Sequence, residues 1–453
     1  MAIRSTIRVL ALCAFVSLPA WAHSPPNLQA LKGLAPVSAL METPEGRAAL
    51  AANFAATHDI QTGLFRQPTP LPFPEQQQQA LRDIFITEGN LAELADGLGT
   101  TLAAAYLARA HYIDRDHFTS LAPSVADVIA YANATTLTDA RAAKYFFANG
   151  TLDGKTPAPA EATAIYKEVG GAPDIFGRAY GLPAGSPGAD IYGNSRPFLT
   201  ETGLARVSGP DYFNTPADTT VYNRGPLMNL IDSPSYPSGH TTYGYMGSVV
   251  LAVLVPERYS QMITRGAEYG NDRVLVTSHY VMDVIGARTL ALYDLAHLLA
   301  NDPAYLGRDL KHAPAIKDFQ AAMRQARADM VKALEAGCGK PIAVCAAEDT
   351  GRFNDTGMNA AFVSATLTYG LPVTQERTRT GTEDIGKVAP EAGYLLTVAF
   401  PSLSLQQAND ILTETEGPGG RFLDDGSDFG VYSRLDLEAA SRLAARLADR
   451  TPH

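Results

Sequence analysis

Two histidines and two arginines in the middle of this 453-residue chain have neighbours that suit them for chemistry on an anion. His279 and Asp283 are four residues apart, so on a helix they would share one face. A carboxylate bound to one imidazole nitrogen leaves a lone pair on the other, which suits a histidine nucleophile. Arg273, six residues earlier, could reach an anion held by His279. A surface His–Asp pair would show the same spacing, so this pattern alone leaves both interpretations open.

The segment 235–241, Ser-Tyr-Pro-Ser-Gly-His-Thr, predicts a turn that leads into a helix. Pro237 and Gly239 shape the turn, and Ser238 is a favourable N-cap residue. The first N–H groups of a helix bind anions, and His240 at this opening could supply a proton. An ordinary capped helix is the competing interpretation.

A second guanidinium is offered by Arg196, whose backbone is restrained by Pro197. Taken alone, it could equally be a surface arginine. The order and spacing of the five residues together are more informative than any one of them, and these residues are Arg196, His240, Arg273, His279 and Asp283.

That set resembles the signature of the type 2 phosphatidic-acid phosphatase superfamily. The signature reads Lys-(six residues)-Arg-Pro, then Pro-Ser-Gly-His, then Ser-Arg-(five residues)-His-(three residues)-Asp. Soluble members include bacterial class A acid phosphatases and vanadium-dependent haloperoxidases. Segment 235–241 is similar to the class A motif Gly-Ser-Tyr-Pro-Ser-Gly-His-Thr, with Pro234 in place of its first glycine. The resemblance covers roughly residues 190 to 300.

The resemblance implies a metal-independent phosphomonoesterase that acts through a phosphohistidine. In that scheme His279 attacks phosphorus, Asp283 holds His279, and His240 protonates the leaving group before it activates water. The phosphoryl oxygens would be bound by Arg196, Arg273 and the backbone N–H groups of Ser238 and Gly239. An unperturbed histidine titrates near pH ~6.5, so the acid role of His240 predicts an acidic pH optimum.

Two positions depart from the signature. The family's lysine falls at Ala189, and the serine before the second arginine is Asp272. Loss of a cationic contact to phosphate would cost about 1.5–3 kcal/mol unless another cation replaces it. Lys167, Arg178 and Arg224 are candidates for that replacement, and the sequence does not choose among them.

Other functions stay open at this point. A vanadium-dependent haloperoxidase would bind vanadate at His279, but the family uses the lysine missing at Ala189 to activate peroxide. A lipid or pyrophosphate phosphatase is a second alternative, and a non-catalytic anion-binding protein is a third. Phosphate or vanadate would occupy the site, and we expect neither a resident cofactor nor a metal. The acidic segment 424–428 lacks the long acidic ligand of a calcium loop, so we interpret it as a polar turn.

The composition limits partners and location. With 36 Lys and Arg against 47 Asp and Glu, the net charge of −11 argues against nucleic acid as a partner but does not exclude a small anion pocket built from a few arginines. The resemblance implies a small phosphorylated substrate as the partner. Arg4 and Arg8, an apolar run of ten residues and Ala20-Trp21-Ala22 predict a signal peptide at residues 1–22. We therefore expect a periplasmic or secreted protein without stable membrane insertion. In that compartment Cys338 and Cys345 would form a disulfide.

Helix formers with apolar residues at three- and four-residue spacing dominate the chain, which predicts an all-α fold with long irregular loops. The pattern places helices at 49–56, 91–110, 125–149, 315–336 and 435–448, and a strand at 392–400. We expect a helical phosphatase core over residues 23–305 and a mostly helical extension over 306–453 that packs on this core. The physiological substrate and the oligomeric state are not predicted.

Overall fold

The computed structural model describes residues 23–85, 89–168, 195–201, 203–224, 228–231 and 233–448. These residues are mostly helical, which confirms the all-α class. Strands β1 (Ser208–Pro210) and β2 (Pro216–Asp218) pair in antiparallel fashion, with Gly209 opposite Ala217. The predicted signal peptide lies outside the described residues. Among the described helices, none has the length and apolar content that crossing a bilayer requires.

The N-terminal part of the described chain is built from short helices around two 3-10 segments, Ala35–Glu42 and Ala92–Leu98. The helices are α1 (Leu28–Leu34), α2 (Pro44–Thr62), α3 (Phe73–Arg82) and α4 (Thr101–Leu107).

The single helix predicted at 91–110 is wrong, because the chain breaks at Gly99. Gly99 has a φ of 101°, a left-handed conformation that glycine adopts without a Cβ clash. Asp349 then accepts hydrogen bonds from the Thr100 and Thr101 amides at 2.6 and 3.1 Å. A side chain about 250 positions away in the chain caps this helix, so local periodicity could not indicate the break.

The centre of the molecule is a group of buried helices in which α9 packs against α5, α10 and α11. The helices of this middle region are α5 (Pro123–Asn149), α6 (Ala160–Glu168), α7 (Pro197–Thr200), α8 (Thr219–Arg224), α9 (Gly239–Leu254), α10 (Tyr259–Leu275) and α11 (Val281–Leu299).

A short 3-10 turn, Pro256–Arg258, joins α9 to α10, so these two helices form an antiparallel hairpin. Their axes approach closely at Gly244, where an added Cβ would lie 2.1 Å from the Tyr269 ring. The start of α9 therefore lies beside the end of α10, and α11 begins only a few residues later. This end of the bundle brings together the segments that the sequence analysis selected.

The C-terminal part is helical and packs on the central helices. It contains α12 (Phe319–Cys338), α13 (Ile342–Ala347), α14 (Thr356–Thr368), α15 (Ile385–Val388), α16 (Tyr394–Thr397), α17 (Leu405–Thr415) and α18 (Leu437–Ala448). Helix α12 contacts α4 and α5, while α14 and α18 contact α10. A disulfide between Cys338 and Cys345 links α12 to α13. The division at residues 305 and 306 stays a prediction.

The predicted strand at 392–400 is wrong, since this segment forms a 3-10 turn (Pro390–Gly393) followed by α16. The buried residues are Ala392, Leu395, Leu396, Ala399 and Phe400. Their spacing of three and four positions is that of a helix, and the segment buries this face against its neighbours. Thr397 and Val398 are β-branched and favour a strand locally. The free energy gained by packing the helical face outweighs that propensity.

Candidate active site

His279 and Asp283 form a buried pair, although they do not share a helix as predicted. His279 lies in the turn between α10 and α11, and Asp283 is the third residue of α11. Asp283 Oδ2 accepts hydrogen bonds from His279 Nδ1 at 3.1 Å and from the Tyr280 amide at 2.9 Å. The Ser235 hydroxyl also donates to this oxygen. A carboxylate at the start of a helix is thus fixed in place, and it orients the imidazole.

The turn that carries His279 is held by Asn223 of α8. Asn223 Nδ2 donates to the Val276 carbonyl at 2.8 Å and to Thr277 Oγ1 at 3.1 Å. The Ser278 hydroxyl donates back to Asn223 Oδ1 at 2.7 Å. Thr277 has a φ of 62°, which is uncommon for a β-branched residue. Strained backbone of this kind is often found at functional sites, where surrounding contacts maintain it.

Arg196 is 1% exposed and lies against the other nitrogen of His279. Its Nη1 is 3.0 Å from His279 Nε2, and because Nδ1 donates to Asp283, this contact places the imidazole lone pair at Nε2. The guanidinium is oriented by the carbonyls of Ser233 (2.7 Å), Ser278 (3.1 Å) and Pro234 (3.0 Å). Of the Arg196 nitrogens, Nη1 is thus the one that contacts His279 Nε2, while Nε and Nη2 are held by the Ser233 and Pro234 carbonyls.

Arg273, in the last turn of α10, is fully buried and poorly paired. Its Nη1 is 3.5 Å from the Tyr222 hydroxyl, and its guanidinium lies 4.7 Å from the centre of the Tyr269 ring. Within the described residues, its Nε and Nη2 have no hydrogen-bond partner. A buried cation with unused donors is costly, which indicates that an anion binds there.

His240 and Ser238 lie at the start of α9. Ser238 is the N-cap, and its Oγ accepts from the Thr241 amide at 3.2 Å. The Ser238 amide itself donates to the Asp283 carbonyl at 3.2 Å. The predicted phosphate contact through this amide stays a prediction, and it would require the hydrogen bond to the Asp283 carbonyl to open. The first helical amides, at Gly239 and His240, remain as the α9 donors that have no acceptor within their own helix.

The positive charges around the two imidazoles affect their protonation. Burial, together with the charges of Arg273, Arg196 and Lys144, lowers the pKa of His240 to about 3. Burial, Arg196 and Lys144 hold the pKa of His279 well below its usual range. Burial raises the pKa of Asp283 to about 6, although the Ser235 and Tyr280 hydrogen bonds favour its charged form. In the absence of an anion, both imidazoles are neutral near pH 7.

The two departures from the signature lie in different surroundings. Asp272 is buried beside Asp83 and Glu268, and burial and these carboxylates raise its pKa well above the usual range. This neutral carboxyl group is part of a separate network of acids and arginines. Of the three proposed replacements for the missing lysine, Lys167 is exposed on α6. Ala189, Arg178 and the Arg224 side chain lie outside the described residues.

Three further side chains belong to this region although no motif in the sequence indicates them, namely Tyr222, Asn223 and Lys144. Tyr222 and Asn223 lie in the long irregular stretch, and Lys144 lies on α5, so no spacing relates them to the motifs. Tyr236, which precedes Pro237, packs in the core against Phe147 (ring centres 5.9 Å apart). The ring of Tyr243 lies 6.5 Å from the ring of His240.

No group of three or more His, Cys, Asp or Glu residues in the described part of the chain has the arrangement of a metal site. The groups that meet at this end of the bundle are the two imidazoles, the two guanidinium groups and the N-terminus of α9. All of these groups favour a small oxyanion such as phosphate.

Comparison with known proteins agrees with this geometry. Residues 180–300 match the PAP2 superfamily model. A non-specific acid phosphatase from Providencia stuartii is 30% identical over 140 residues, which are 29% of this chain and 56% of that protein. An acid phosphatase from Zymomonas mobilis is 30% identical over 118 residues, 26% of this chain and 39% of that protein.

A shorter segment is more similar to the non-specific acid phosphatase of Salmonella typhimurium, with 41% identity over 64 residues, or 14% of this chain and 26% of that protein. The chain thus matches about half or less of the length of these relatives. The segment that matches the PAP2 superfamily model contains Arg196, His240, Arg273, His279 and Asp283, so this part of the chain is similar to the PAP2 superfamily and to bacterial acid phosphatases.

Proposed function

We propose that this protein is an exported, metal-independent phosphomonoesterase that works through a phosphohistidine intermediate. The observation that carries the proposal is the buried guanidinium of Arg273, whose Nε and Nη2 have no partner among the described residues, at the helix end whose carbonyl accepts a hydrogen bond from the His279 amide at 3.3 Å. A phosphate ester is an anion whose oxygens would satisfy these donors. The names of the similar bacterial proteins support the same activity.

The first chemical step uses the lone pair on His279 Nε2. This nitrogen attacks phosphorus in line, a P–N bond forms, and the P–O bond to the leaving group breaks. His240 gives a proton to the departing oxygen, so an alcohol leaves rather than an alkoxide. Asp283 holds the Nδ1 proton of His279 and stabilises the positive charge that develops on the ring.

In the second step His240, now neutral, takes a proton from water. The resulting hydroxide attacks phosphorus, the P–N bond breaks, and inorganic phosphate and free His279 result. Arg196 and Arg273 balance the charge on the phosphoryl oxygens in both steps, together with the first amides of α9. The Arg196 contact to Nε2 must open when phosphorus approaches, and its carbonyl partners keep the guanidinium oriented for a phosphoryl oxygen.

The acidic pH optimum remains part of the proposal, but its physical basis changes. In the anion-free site His240 has a pKa of about 3, so it could not act as an acid near neutral pH. A bound phosphate dianion offsets the charges of Arg273 and Arg196 and thereby raises this pKa. Protonation of His240 and binding of substrate are therefore coupled, and lower pH favours both.

Export is supported by the N-terminal sequence pattern and by the disulfide Cys338–Cys345, because disulfides persist mainly in oxidising compartments. Processing can be tested by N-terminal sequencing of the protein from the periplasm of an expression host. Cleavage after Ala22 is the expected result, and retention of residues 1–22 in the cytoplasm would contradict this part of the proposal.

The activity is tested by hydrolysis of p-nitrophenyl phosphate between pH 4 and pH 8 in the presence of a chelator. We expect activity in the wild type and a loss on the order of 10⁴-fold or more in His279→Ala, since the nucleophile is removed. An alkaline quench after brief exposure to labelled substrate should trap label on the wild-type protein and not on this variant.

His117→Ala is the matched control. His117 and Asp114 form an exposed imidazole–carboxylate pair at 2.8 Å, the same chemical pair without the surrounding cations. This variant should keep normal activity. Near-normal hydrolysis by His279→Ala would show that the nucleophile is misassigned, and no hydrolysis by the wild type would reject the proposed activity.

A further inference from the structure

Lys144 extends from α5 to the turn that precedes α9. Its Nζ donates hydrogen bonds to the carbonyl oxygens of Pro234 and Ser235, at 2.8 and 3.1 Å. The residue is 9% exposed, so its charge is largely removed from water. No motif in the sequence singles out this position, and the superfamily match begins only at residue 180.

The side chain reaches the N-terminal end of α9. A Cβ placed on Gly239 would lie 3.6 Å from Lys144 Cε, which is ordinary van der Waals contact. The ammonium charge also lowers the pKa values of both His240 and His279. Lys144 is therefore adjacent to the same space that Arg196 and Arg273 surround.

Hydrogen bonds to two carbonyls position the ammonium group and its charge lowers the pKa of Asp283, but the helix end and the two arginines are unfavourable to it. A helix N-terminus carries partial positive charge, so a lysine beside it is unfavourable, whereas a lysine near a helix C-terminus is stabilising. The guanidinium groups of Arg196 and Arg273 increase the electrostatic repulsion on the Lys144 ammonium group. An anion bound between these groups would convert the repulsion into attraction, and it would do so for all of them together.

We propose that Lys144 is the third cation of the phosphate site and that its ammonium group binds an oxygen of the phosphoryl group. It would supply from α5 the charge that the family signature places at the position of Ala189. This inference rests on the proposed phosphatase activity. Lys144 is then a catalytic residue that reaches the substrate from α5, a helix outside the segment 180–300 that matches the superfamily model.

The test compares variants that separate charge from hydrogen bonding. Lys144→Gln keeps an N–H donor for the carbonyls but removes the charge, and Lys144→Arg keeps the charge. We expect kcat/KM for p-nitrophenyl phosphate to fall about tenfold to hundredfold in Lys144→Gln, with partial recovery in Lys144→Arg. Lys155→Gln, on an exposed lysine, should behave as the wild type.

Chemical restoration gives a second readout. Lys144→Cys should be weakly active, and alkylation with 2-bromoethylamine should restore activity because it rebuilds a lysine-like ammonium. NMR titration of His240 should show a higher pKa in Lys144→Gln than in the wild type, because the ammonium charge lowers this pKa. Calorimetric titration with inorganic phosphate separates the two roles, since loss of a lysine that only fixes the turn would leave the phosphate affinity of a folded variant unchanged.

The outcomes separate this inference from the proposed function. If the wild type hydrolyses the ester and Lys144→Gln matches it in kcat/KM and in phosphate affinity, Lys144 is structural and the phosphatase assignment stands. If the wild type hydrolyses nothing, the proposed function fails, and calorimetric binding of inorganic phosphate decides the role of Lys144. Equal phosphate affinity in the two proteins, or no binding by the wild type, would overturn the inference.

Discussion

Helix α10 carries two fully buried arginines, Arg265 and Arg273, in opposite surroundings. Arg265 donates two hydrogen bonds to Asp83, both at 2.7 Å, and one to Asp96 at 2.7 Å. Arg273 has a tyrosine hydroxyl at 3.5 Å and, in the described part of the chain, no partner for its Nε and Nη2. One helix thus contains a cation with matched acids and a cation without them.

The Arg265 network extends further into the protein. Glu268 lies 3.4 Å from Arg265, and Arg352, which follows α13, donates to Glu268 and Asp96 at 2.6 Å. This network joins the N-terminal helices, α10 and the C-terminal part of the chain. Buried ion pairs of this kind are strongly destabilising when one partner is lost, because the remaining charge stays in a poorly solvated position.

The difference between the two arginines distinguishes a structural ion pair from a binding group. A protein that only needed to fold would match both cations with acids. In the described part of the chain no acid pairs with Arg273, and His279, the proposed nucleophile, lies in the adjoining turn, so we expect the ligand to supply the compensating negative charge. Identical residue type and burial therefore lead to opposite predictions for mutation.

The largest effect on stability is expected for Arg265→Met, which leaves Asp83 buried without its cation. We expect the free energy of unfolding to fall by about 3–5 kcal/mol, as measured by urea denaturation. Arg324→Met, on an exposed arginine, is the control and should change little. If Arg265→Met lowers the free energy of unfolding by less than about 1 kcal/mol, Arg265 contributes no more than a surface ion pair. The contrast between Arg265 and Arg273 would then be lost.

The opposite pattern is expected for Arg273→Met. Because this cation stabilises charge on the phosphoryl group, kcat/KM should fall about 10²–10³-fold. The free energy of unfolding should be unchanged or higher, since an unpaired buried charge is removed. Parallel activity assays and urea titrations check both parts. A loss of stability comparable to that of Arg265→Met would mean that Arg273 is a structural residue.

A smaller predicted effect is the uptake of a proton by the protein when phosphate binds. His240 is neutral in the anion-free site at any pH well above its pKa of about 3, and a bound phosphate favours its charged form. Binding should therefore take up a proton, and each unit of falling pH should add up to about 1.4 kcal/mol to the affinity. Calorimetry in two buffers with different ionisation enthalpies measures the uptake.

His240→Gln provides the reference for that measurement, because phosphate itself also changes its protonation. The difference in proton uptake between wild type and variant belongs to His240. If both proteins take up the same number of protons, His240 does not titrate with ligand binding, and its acid role loses its support.

The smallest predicted effect is at Asn223. Asn223→Ala removes the hydrogen bonds that hold Val276, Thr277 and Ser278, so His279 should be less well oriented. We expect kcat to fall about tenfold while KM changes little, in line with the loss of hydrogen bonds worth about 1–1.5 kcal/mol. Steady-state kinetics test this expectation. An unchanged kcat would show that the left-handed Thr277 turn forms without Asn223.

The motif residues were predictable because the chemistry constrains their spacing along the chain. Arg196, His240, Arg273, His279 and Asp283 lie in three short segments, and each segment forms a helix end whose local signals can be read. Even in these segments, the prediction that His279 and Asp283 lie one turn apart on a single helix is wrong. His279 precedes α11, and Asp283 reaches it as the capping carboxylate of that helix rather than from one turn along it.

Long-range packing accounts for the errors. The segment 392–400 became helical because its buried face matches neighbouring helices, and the break at Gly99 depends on a carboxylate from Asp349. The choice between a paired Arg265 and an unpaired Arg273 also depends on which acids other helices bring near. Neither periodicity nor propensity contains this information.

Residue types and local spacing were sufficient to indicate an all-α phosphatase-like chain and the five side chains of its site. Those features depend on interactions within a few turns of the backbone. The charge balance of the site depends instead on residues far apart in the chain, such as Lys144 beside α9 and Asp83 beside Arg265. Electrostatic energies fall with distance in space, and folding alone determines which distant charges become neighbours.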